Sequence, residues 1–582
     1  MFRNKKDRRG RICGEVLCFG GGRYCINKKS PKVPKWLSSV LLSDLIGMTC
    51  RGSARVFNEY TRKELKKDSK TLAKALLALG IKKGDYVVVL DNFYPCVCMI
   101  YAAMRIGAIA VPFAEDATDD MLVKFIMERK SDVFLVMNDK DKKYATKICK
   151  QTAYKCKRVI SINSNRPRIV NQQPIKLDQE YYDYLDMPAV ARLGKKKLHI
   201  PWSSGDTVLL GSSSGSSGEA KFFPYTDYNI ISSVLSTQVA FNVSLFSRNK
   251  DTWAGIVPRQ RPYGLLNSAL IPSWGRRRVY LAHPDDTVDE IFTEAQVICC
   301  AADFADIVLE QLTINGYDIT KNNKPKPITL IFGGAFLPID KSEILRSFLN
   351  QRGFDATLCV GYGISEAAGC ISVVTEEEYR PDTVGKLVPG VKVWLRKDDG
   401  SAYKLGDVGR LWVAGDTVIQ TYDDEAINAK NICYDDNGEV WVDTGDYMSL
   451  QPSGHLIFHY SEKDFYFAET HEKIYPRKAE EAIKQIDGVA RCWVLGDQER
   501  SASIAFIAPK PGVDAKKLRE YIIQNITKAQ TKQNEFLSEL EIPRYYQMVK
   551  TSDLKEDRSG KRLKTAKEQL LNLIDFDNPE KI

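Results

Sequence analysis

The chain has 582 residues, 44% hydrophobic and 27% charged, with 84 Lys and Arg against 74 Asp and Glu for a formal net charge of +10. That length exceeds what one core usually organises, so two or more domains are expected. The longest apolar region, 87–114, is interrupted by Asp91, Asn92 and Arg105, which excludes a continuous membrane-spanning helix there.

The first residues are strongly basic, but no clean apolar stretch and small-residue cleavage site follow, so a secretory signal is not expected and the location is read as cytoplasmic. From residue 61 to about 137 the apolar spacing predicts a helix over 63–79, a strand over 86–90, a helix over 97–105 and a strand over 108–112. This βαβα order argues for a parallel sheet covered by helices. A second round starts at the apolar run Thr207-Val208-Leu209-Leu210 and passes through a Ser/Gly loop and a helix over 227–240 to a strand over 255–257. A third runs through a strand over 328–332, the Gly333-Gly334 turn, a helix over 341–350 and a strand over 356–360. In such sheets, phosphate and nucleotide sites lie at the carboxyl ends of strands, where Gly-rich loops begin.

Past about Pro381 the texture changes to short strands with Gly-containing turns, over 391–395, 409–413 and 439–442, which reads as a smaller β-rich subdomain. A strand over 456–458 leads into the charged stretch Tyr460-Ser461-Glu462-Lys463-Asp464, where a domain boundary is placed. Helices over 477–485, 515–524 and 564–573 and strands over 491–494 and 503–507 then make a compact tail. The expected fold class is α/β. Residues 1–460 are expected to form a large N-terminal domain of parallel-rich, helix-covered sheets plus the β-rich subdomain, and 461–582 a small α+β C-terminal domain.

Fourteen cysteines show neither a C-x-x-C knuckle nor a dense disulfide pattern, so most read as buried apolar residues. His455 and His459 share one face of a strand, but a zinc site needs a further ligand. The basic balance favours polyanions in general, among them nucleotides, coenzyme A, an acidic carrier protein or anionic lipid. No aromatic-interleaved basic motif argues for base readout, so no nucleic-acid partner is expected.

Four short segments carry chemistry. The first is Ser213-Ser214-Gly215-Ser216-Ser217-Gly218-Glu219-Ala220-Lys221, in which small residues free successive N–H groups for one anion, hydroxyls add donors and Lys221 adds a point charge. It is not a Walker loop, because Lys221 lies between Ala220 and Phe222. The others are Gly361-Tyr362-Gly363-Ile364-Ser365-Glu366, Asp443-Thr444-Gly445-Asp446 and Arg558-Ser559-Gly560-Lys561. Taken singly, each also reads as local structure: a surface loop, a capped strand-to-helix turn, an Asx-type turn closing a hairpin, and an exposed loop before a helix.

In their order and spacing these segments resemble the signatures of the acyl-adenylate-forming (AMP-binding) superfamily, which includes acyl- and aryl-CoA synthetases, luciferases and peptide-synthetase adenylation domains. The first departs from that pattern by Ala220 for proline and Phe222 for the final glycine; the G-Y-G-x-[ST]-E, T-G-D and S-G-K signatures are met in full. The resemblance extends from about Ser43 to the end. It implies ATP, Mg²⁺ and coenzyme A (or a carrier's phosphopantetheine) as cofactors. It also implies that Ser213, Ser214, Gly215, Ser216, Ser217, Gly218 and Lys221 hold the β and γ phosphates. Tyr362, followed by Gly363, would stack on adenine, Gly333, Gly334 and Ala335 would leave room beside the base, and Asp446 would bind the ribose hydroxyls. Ser365 would contact phosphate, Glu366 would hold Mg²⁺, and Lys561, on a C-terminal domain that the resemblance implies is small and mobile, would touch both the carboxylate and the α-phosphate.

The implied function is an AMP-forming acid–thiol ligase acting through an acyl adenylate with coenzyme A as acceptor. The alternatives are an enzyme loading a separate acyl carrier protein, and a catalytically impaired nucleotide- or acyl-binding relative. Val234, Val239, Phe241, Tyr263 and Leu265 lie where the family lines its acid pocket, and their apolar character suits a fatty or aryl acid. Three departures stand out. Glu462 occupies the arginine position of the family's hinge segment G-R-x-D, with Asp464 retained as its aspartate; Ala468 and His471 replace a lysine and a glycine of the next motif; and Arg259-Gln260-Arg261 replaces an aromatic or histidine gate.

Overall fold

The computed structural model describes residues 16–20, 23–26, 55–57, 60–90, 94–113, 119–138, 142–153, 155–162, 183–186, 205–214, 220–240, 251–257, 262–274, 277–282, 286–302, 304–314, 326–334, 337, 339–374, 383–462, 466–467, 473–497, 501–531, 536–554 and 570. Among the described residues, two large sheets carry the body of the chain. The first has seven strands, in the order Ala220–Thr226, Thr207–Ser214, Ile109–Pro112, Tyr86–Val89, Val133–Asn138, Cys156–Ile162 and Asp183–Asp186. All its pairings are parallel except the edge hairpin formed by the first two strands. Parallel strands need both faces covered. Val87, Val88 and Val89 are accordingly fully buried.

Helix Arg62–Ala78 supplies part of that cover. It starts in a capping box, with Thr61 accepting from Glu64 N–H and the Glu64 carboxylate accepting from Thr61 N–H. Its buried stripe includes Leu65, Leu72 and Leu76, and it packs on helix Tyr94–Ile106, whose near-continuous apolar sequence fits burial on most sides.

The second sheet has sixteen strands. Its parallel part brings together Arg278–Leu281, Thr252–Gly255, Val297–Cys300, Lys326–Phe332 and Phe354–Tyr362. From Ser372–Val374 onward the pairing turns antiparallel, through Gly385–Leu387, His455–Ser461, Val440–Leu450, Gly409–Gly415 and Val391–Arg396. The β-rich subdomain expected from sequence is thus hydrogen-bonded into the same sheet as the third βαβ round. Its far edge is extended by the N-terminal strands Arg23–Ile26 and Val16–Gly20, which the sequence pattern did not predict. The strand expected over 255–257 lies earlier, at Thr252–Gly255, because its parallel register with Arg278–Leu281 runs from Thr252 to Gly255.

The tail has its own sheet of Val489–Asp497, Ala502–Pro509 and Tyr545–Met548, covered by helices Pro476–Lys484 and Ala515–Asn525. Buried Glu480 accepts from Val494 N–H and Lys484, so its charge is compensated inside the core. Tyr460, at the end of the large sheet, stacks on Tyr475 at the start of the tail's first helix, with ring centroids 3.7 Å apart. The helix expected over 564–573 lies outside the described residues apart from Leu570. No helix among the described residues is long and apolar enough to cross a membrane.

Phe506 is fully buried in the tail core. Phe506→Ala should destabilise the tail by about 3–5 kcal/mol, seen as a lower urea midpoint of the tail's unfolding transition at unchanged slope.

Candidate functional site

The two ends of the Ser/Gly segment lie in the edge hairpin, with Ser213 directly across from Lys221 and Ser214 across from Ala220. The sequence pattern led from strand to loop to helix, whereas here the chain first returns as a second strand and only then enters helix Asp227–Ala240. Gly211 leads into this segment, and a Cβ there would meet the Phe223 ring at 2.4 Å. Gly215, Ser216, Ser217 and Gly218 lie outside the described residues, and of Ser214 only the backbone is described.

Facing the hairpin is the end of strand Phe354–Tyr362, followed by the short turn Ser365–Ala367. Gly363 permits this turn, since a Cβ there would lie 2.3 Å from the Gly369 carbonyl oxygen. The turn buries Glu366 to 8% exposure. Glu366 Oε1 accepts hydrogen bonds from Ser213 Oγ at 2.8 Å and from Tyr422 Oη at 3.2 Å. A hydroxyl of one sheet therefore meets a carboxylate of the other. The main chain around Glu366 is held as well: Tyr225 donates to the Ser365 carbonyl, and Ile419 N–H donates to the Glu366 carbonyl.

Tyr422 links this carboxylate to the loop lysine. Its ring lies 5.7 Å from Lys221 Nζ, and Lys221 itself donates to Asn431 Oδ1 at 2.9 Å. Burial, then the neighbouring Glu366 carboxylate, push the Tyr422 hydroxyl above the ordinary tyrosine range, which keeps it a donor.

On the other side of the strand end, Tyr362 Oη donates to Asp446 Oδ2 at 2.7 Å. Burial first, then Asp446, raise the Tyr362 pKa. Asp446 sits in a bulge within the continuous strand Val440–Leu450, not in a turn closing a hairpin: Asp443 and Tyr447 face Trp412 and Arg410, so four steps on one strand match two on the other. Gly445 takes φ +71° there, its N–H donates to Asp443 Oδ1, and Thr444 Oγ1 donates to the Leu411 carbonyl. This Asx-type contact is the local feature expected from sequence, placed mid-strand.

Gly334, two residues past strand Lys326–Phe332, takes φ +81°. The hydroxyl end of Tyr263 packs on Gly333, where a Cβ would meet Cζ at 2.9 Å, and its one O–H is shared between the Cys300 and Ile331 carbonyls at 3.2 and 3.1 Å. Of the candidate acid-pocket residues, Val234 and Leu265 are buried, while Phe241 and the side chain of Val239 lie outside the described residues. So do Ala335, Lys561, Asp464, Ala468, His471 and the Arg259-Gln260-Arg261 stretch. His455 and His459 have separate partners, Ser453 and Ser449. Tyr422, Asn431 and Tyr225 were not singled out from sequence. Tyr422 stands in an acidic stretch with no motif spacing, and it reaches Glu366 because the segment after strand Gly409–Gly415 folds against the turn after strand Phe354–Tyr362 of the same sheet.

Two family models match in order along the chain: AMP-binding enzyme over residues 49–423 and AMP-binding enzyme C-terminal domain over 478–561. The chain is 25% identical to Acyl-CoA synthetase 7 of Caenorhabditis elegans over 486 residues, 79% of this chain and 83% of that protein. It is 24% identical to Acyl-CoA ligase SID4 of Ajellomyces capsulatus over 454 residues, 75% of this chain and 74% of that one. Among solved structures, the anthranilate CoA ligase AuaEII in complex with anthranoyl-AMP superposes with a TM-score of 0.73 at 17% identity, covering 92% of this chain and 97% of the other. With the first model spanning more than half of its length, the chain belongs to the AMP-binding enzyme family, and its relatives are acyl-CoA ligases.

Proposed function

We propose that the protein is an AMP-forming acid–thiol ligase that activates a carboxylic acid with ATP and transfers the acyl group to coenzyme A. The observation that carries this reading is the contact of Ser213 and Tyr422 with Glu366, which puts a phosphate-type loop and a buried carboxylate at one point. In the first half-reaction an oxygen of the acid attacks the α-phosphorus, the bond to the bridging oxygen breaks, and pyrophosphate leaves. In the second, the thiolate sulfur attacks the acyl carbon, the carbon–oxygen bond to AMP breaks, and the thiol proton passes to solvent.

The residue roles follow from the charge each step develops. The Ser213–Lys221 hairpin tip holds the β and γ phosphates, and Ser365 contacts phosphate beside it. Tyr362 takes the adenine, with Gly333, Gly334 and Ala335 beside it, and Asp446 takes the ribose hydroxyls. Lys561 reaches the carboxylate and the α-phosphate. The tail from residue 461 onward is proposed to turn as a unit between the half-reactions, the Tyr460–Tyr475 stack lying at its root.

Glu366 fits a magnesium ion. Among the described residues no group of three or more His, Cys, Asp or Glu side chains could hold a metal. One carboxylate beside a phosphate loop instead suits an ion that takes most of its ligands from phosphate oxygens and water. When bound, it would offset phosphate charge. The named relatives favour coenzyme A as acceptor, and the apolar character of Val234, Val239, Phe241, Tyr263 and Leu265 favours a fatty or aryl acid. The described cysteines are mostly buried, as expected for small apolar residues, and the location proposed is the cytoplasm expected from sequence.

ATP–pyrophosphate exchange across a panel of carboxylic acids tests the first half-reaction. At least one fatty or aryl acid should support exchange, and Lys561→Ala should lower it by about 10²–10³-fold. Exchange with no acid, or undiminished exchange in the variant, would refute the assignment. Adding coenzyme A or a purified acyl carrier protein then identifies the acceptor, because only the true one gains a thioester. Tyr422→Phe removes one hydrogen bond to Glu366, about 1 kcal/mol, and should raise the KM for ATP about fivefold in the same exchange assay.

A further inference from the structure

The bulge that carries Asp446 is surrounded by more negative charge than one carboxylate. Asp443 is 5% exposed at the side chain, and Glu462 Oε2 lies 3.9 Å from where a Cβ on Gly445 would stand. Left to themselves, these carboxylates would repel one another and draw water into the turn.

One side chain meets both. Arg410, from strand Gly409–Gly415, directs Nε to both carboxylate oxygens of Asp443 at 3.0 Å and Nη2 to Asp443 Oδ2 at 2.6 Å. The same Nη2 donates to Glu462 Oε2. Burial disfavours the guanidinium charge, but Asp443 and Glu462 outweigh it and raise its pKa. Held in this way, Asp443 accepts the Gly445 N–H and fixes the left-handed residue immediately before Asp446. A planar fork can serve two carboxylates at once, whereas an ammonium is a single point charge.

We propose that Arg410 is the positioning residue of the ribose site: by clamping Asp443 and Glu462 it holds the 443–446 bulge in the conformation that presents Asp446 to the ribose hydroxyls. This rests on the assignment of Asp446 to ribose made above. Glu462, which stands where the family pattern has an arginine, becomes a ligand of Arg410. The cation at this end of the site comes from a neighbouring strand.

The test compares binding of AMP and 2′,3′-dideoxy-AMP by calorimetry, since their ratio isolates the ribose hydroxyls. Wild type should favour AMP by about 30-fold, as expected for hydrogen bonds to a carboxylate. Arg410→Ala should reduce that ratio to about twofold and Arg410→Lys to an intermediate value, with dideoxy-AMP affinity little changed. Arg410→Ala combined with Asp443→Asn should recover most of the ratio. The amide needs no counter-charge, and its carbonyl still accepts from Gly445. The double variant and Arg410→Lys keep the test decisive if Arg410→Ala does not fold. A wild-type ratio near one would overturn the ribose assignment and this inference with it. A wild-type ratio preserved in Arg410→Ala and Arg410→Lys, or a double variant no better than Arg410→Ala, would overturn the inference alone.

Discussion

The hydrogen bond from Ser213 to Glu366 is the contact on which the rest of the arrangement depends, because it joins the edge hairpin of one sheet to a strand-end turn of the other. Each partner is useless without the other's position. A serine at a hairpin tip is an ordinary surface group, and a buried carboxylate without donors is costly. Together, with Tyr422 as second donor, they form a small polar junction in an otherwise apolar seam.

That junction is held in register by helix Asp227–Ala240, which follows the hairpin and lies along the seam. Its Asn229 donates to the carbonyls of Asp416 and Val418, and Ser233 donates to the carbonyl of Ala368. Buried polar groups of this kind are satisfied only when the two sheets sit in one relation. The same helix bonds beside both the Glu366 turn and the segment leading to Tyr422. The geometry around Glu366 is thus a consequence of how the two sheets dock.

Much of the sheet-and-helix order was legible in the sequence because period and length agree with tertiary burial. The helices at Arg62–Ala78 and Asp227–Ala240 and the strands at Tyr86–Val89 and Lys326–Phe332 fall within two residues of expectation. The site segments were legible as motifs, since Gly363 and Gly445 mark backbone that a side chain would obstruct or strain. Other features depend on pairings remote in sequence. Strands Val16–Gly20 and Arg23–Ile26 are short and exist as the edge of a sheet whose next member is Val391–Arg396. Tyr422 and Arg410 carry no periodic or spacing signal, and their importance comes from what the bulge and the second sheet bring against them. The return strand Ala220–Thr226 was masked by its neighbouring loop and helix, which together mimic a strand–loop–helix unit.

On the proposed assignment, Glu366 lies where the hairpin and a magnesium-bound phosphate would meet, distinct from the proposed ribose end at Asp446. Calorimetry of Glu366→Gln separates the two most directly. The account predicts that Mg·ATP affinity falls by about tenfold or more while AMP affinity stays within about twofold, since a charged contact is lost only where the polyphosphate lies. Equal losses for both nucleotides, or none for Mg·ATP, would contradict it.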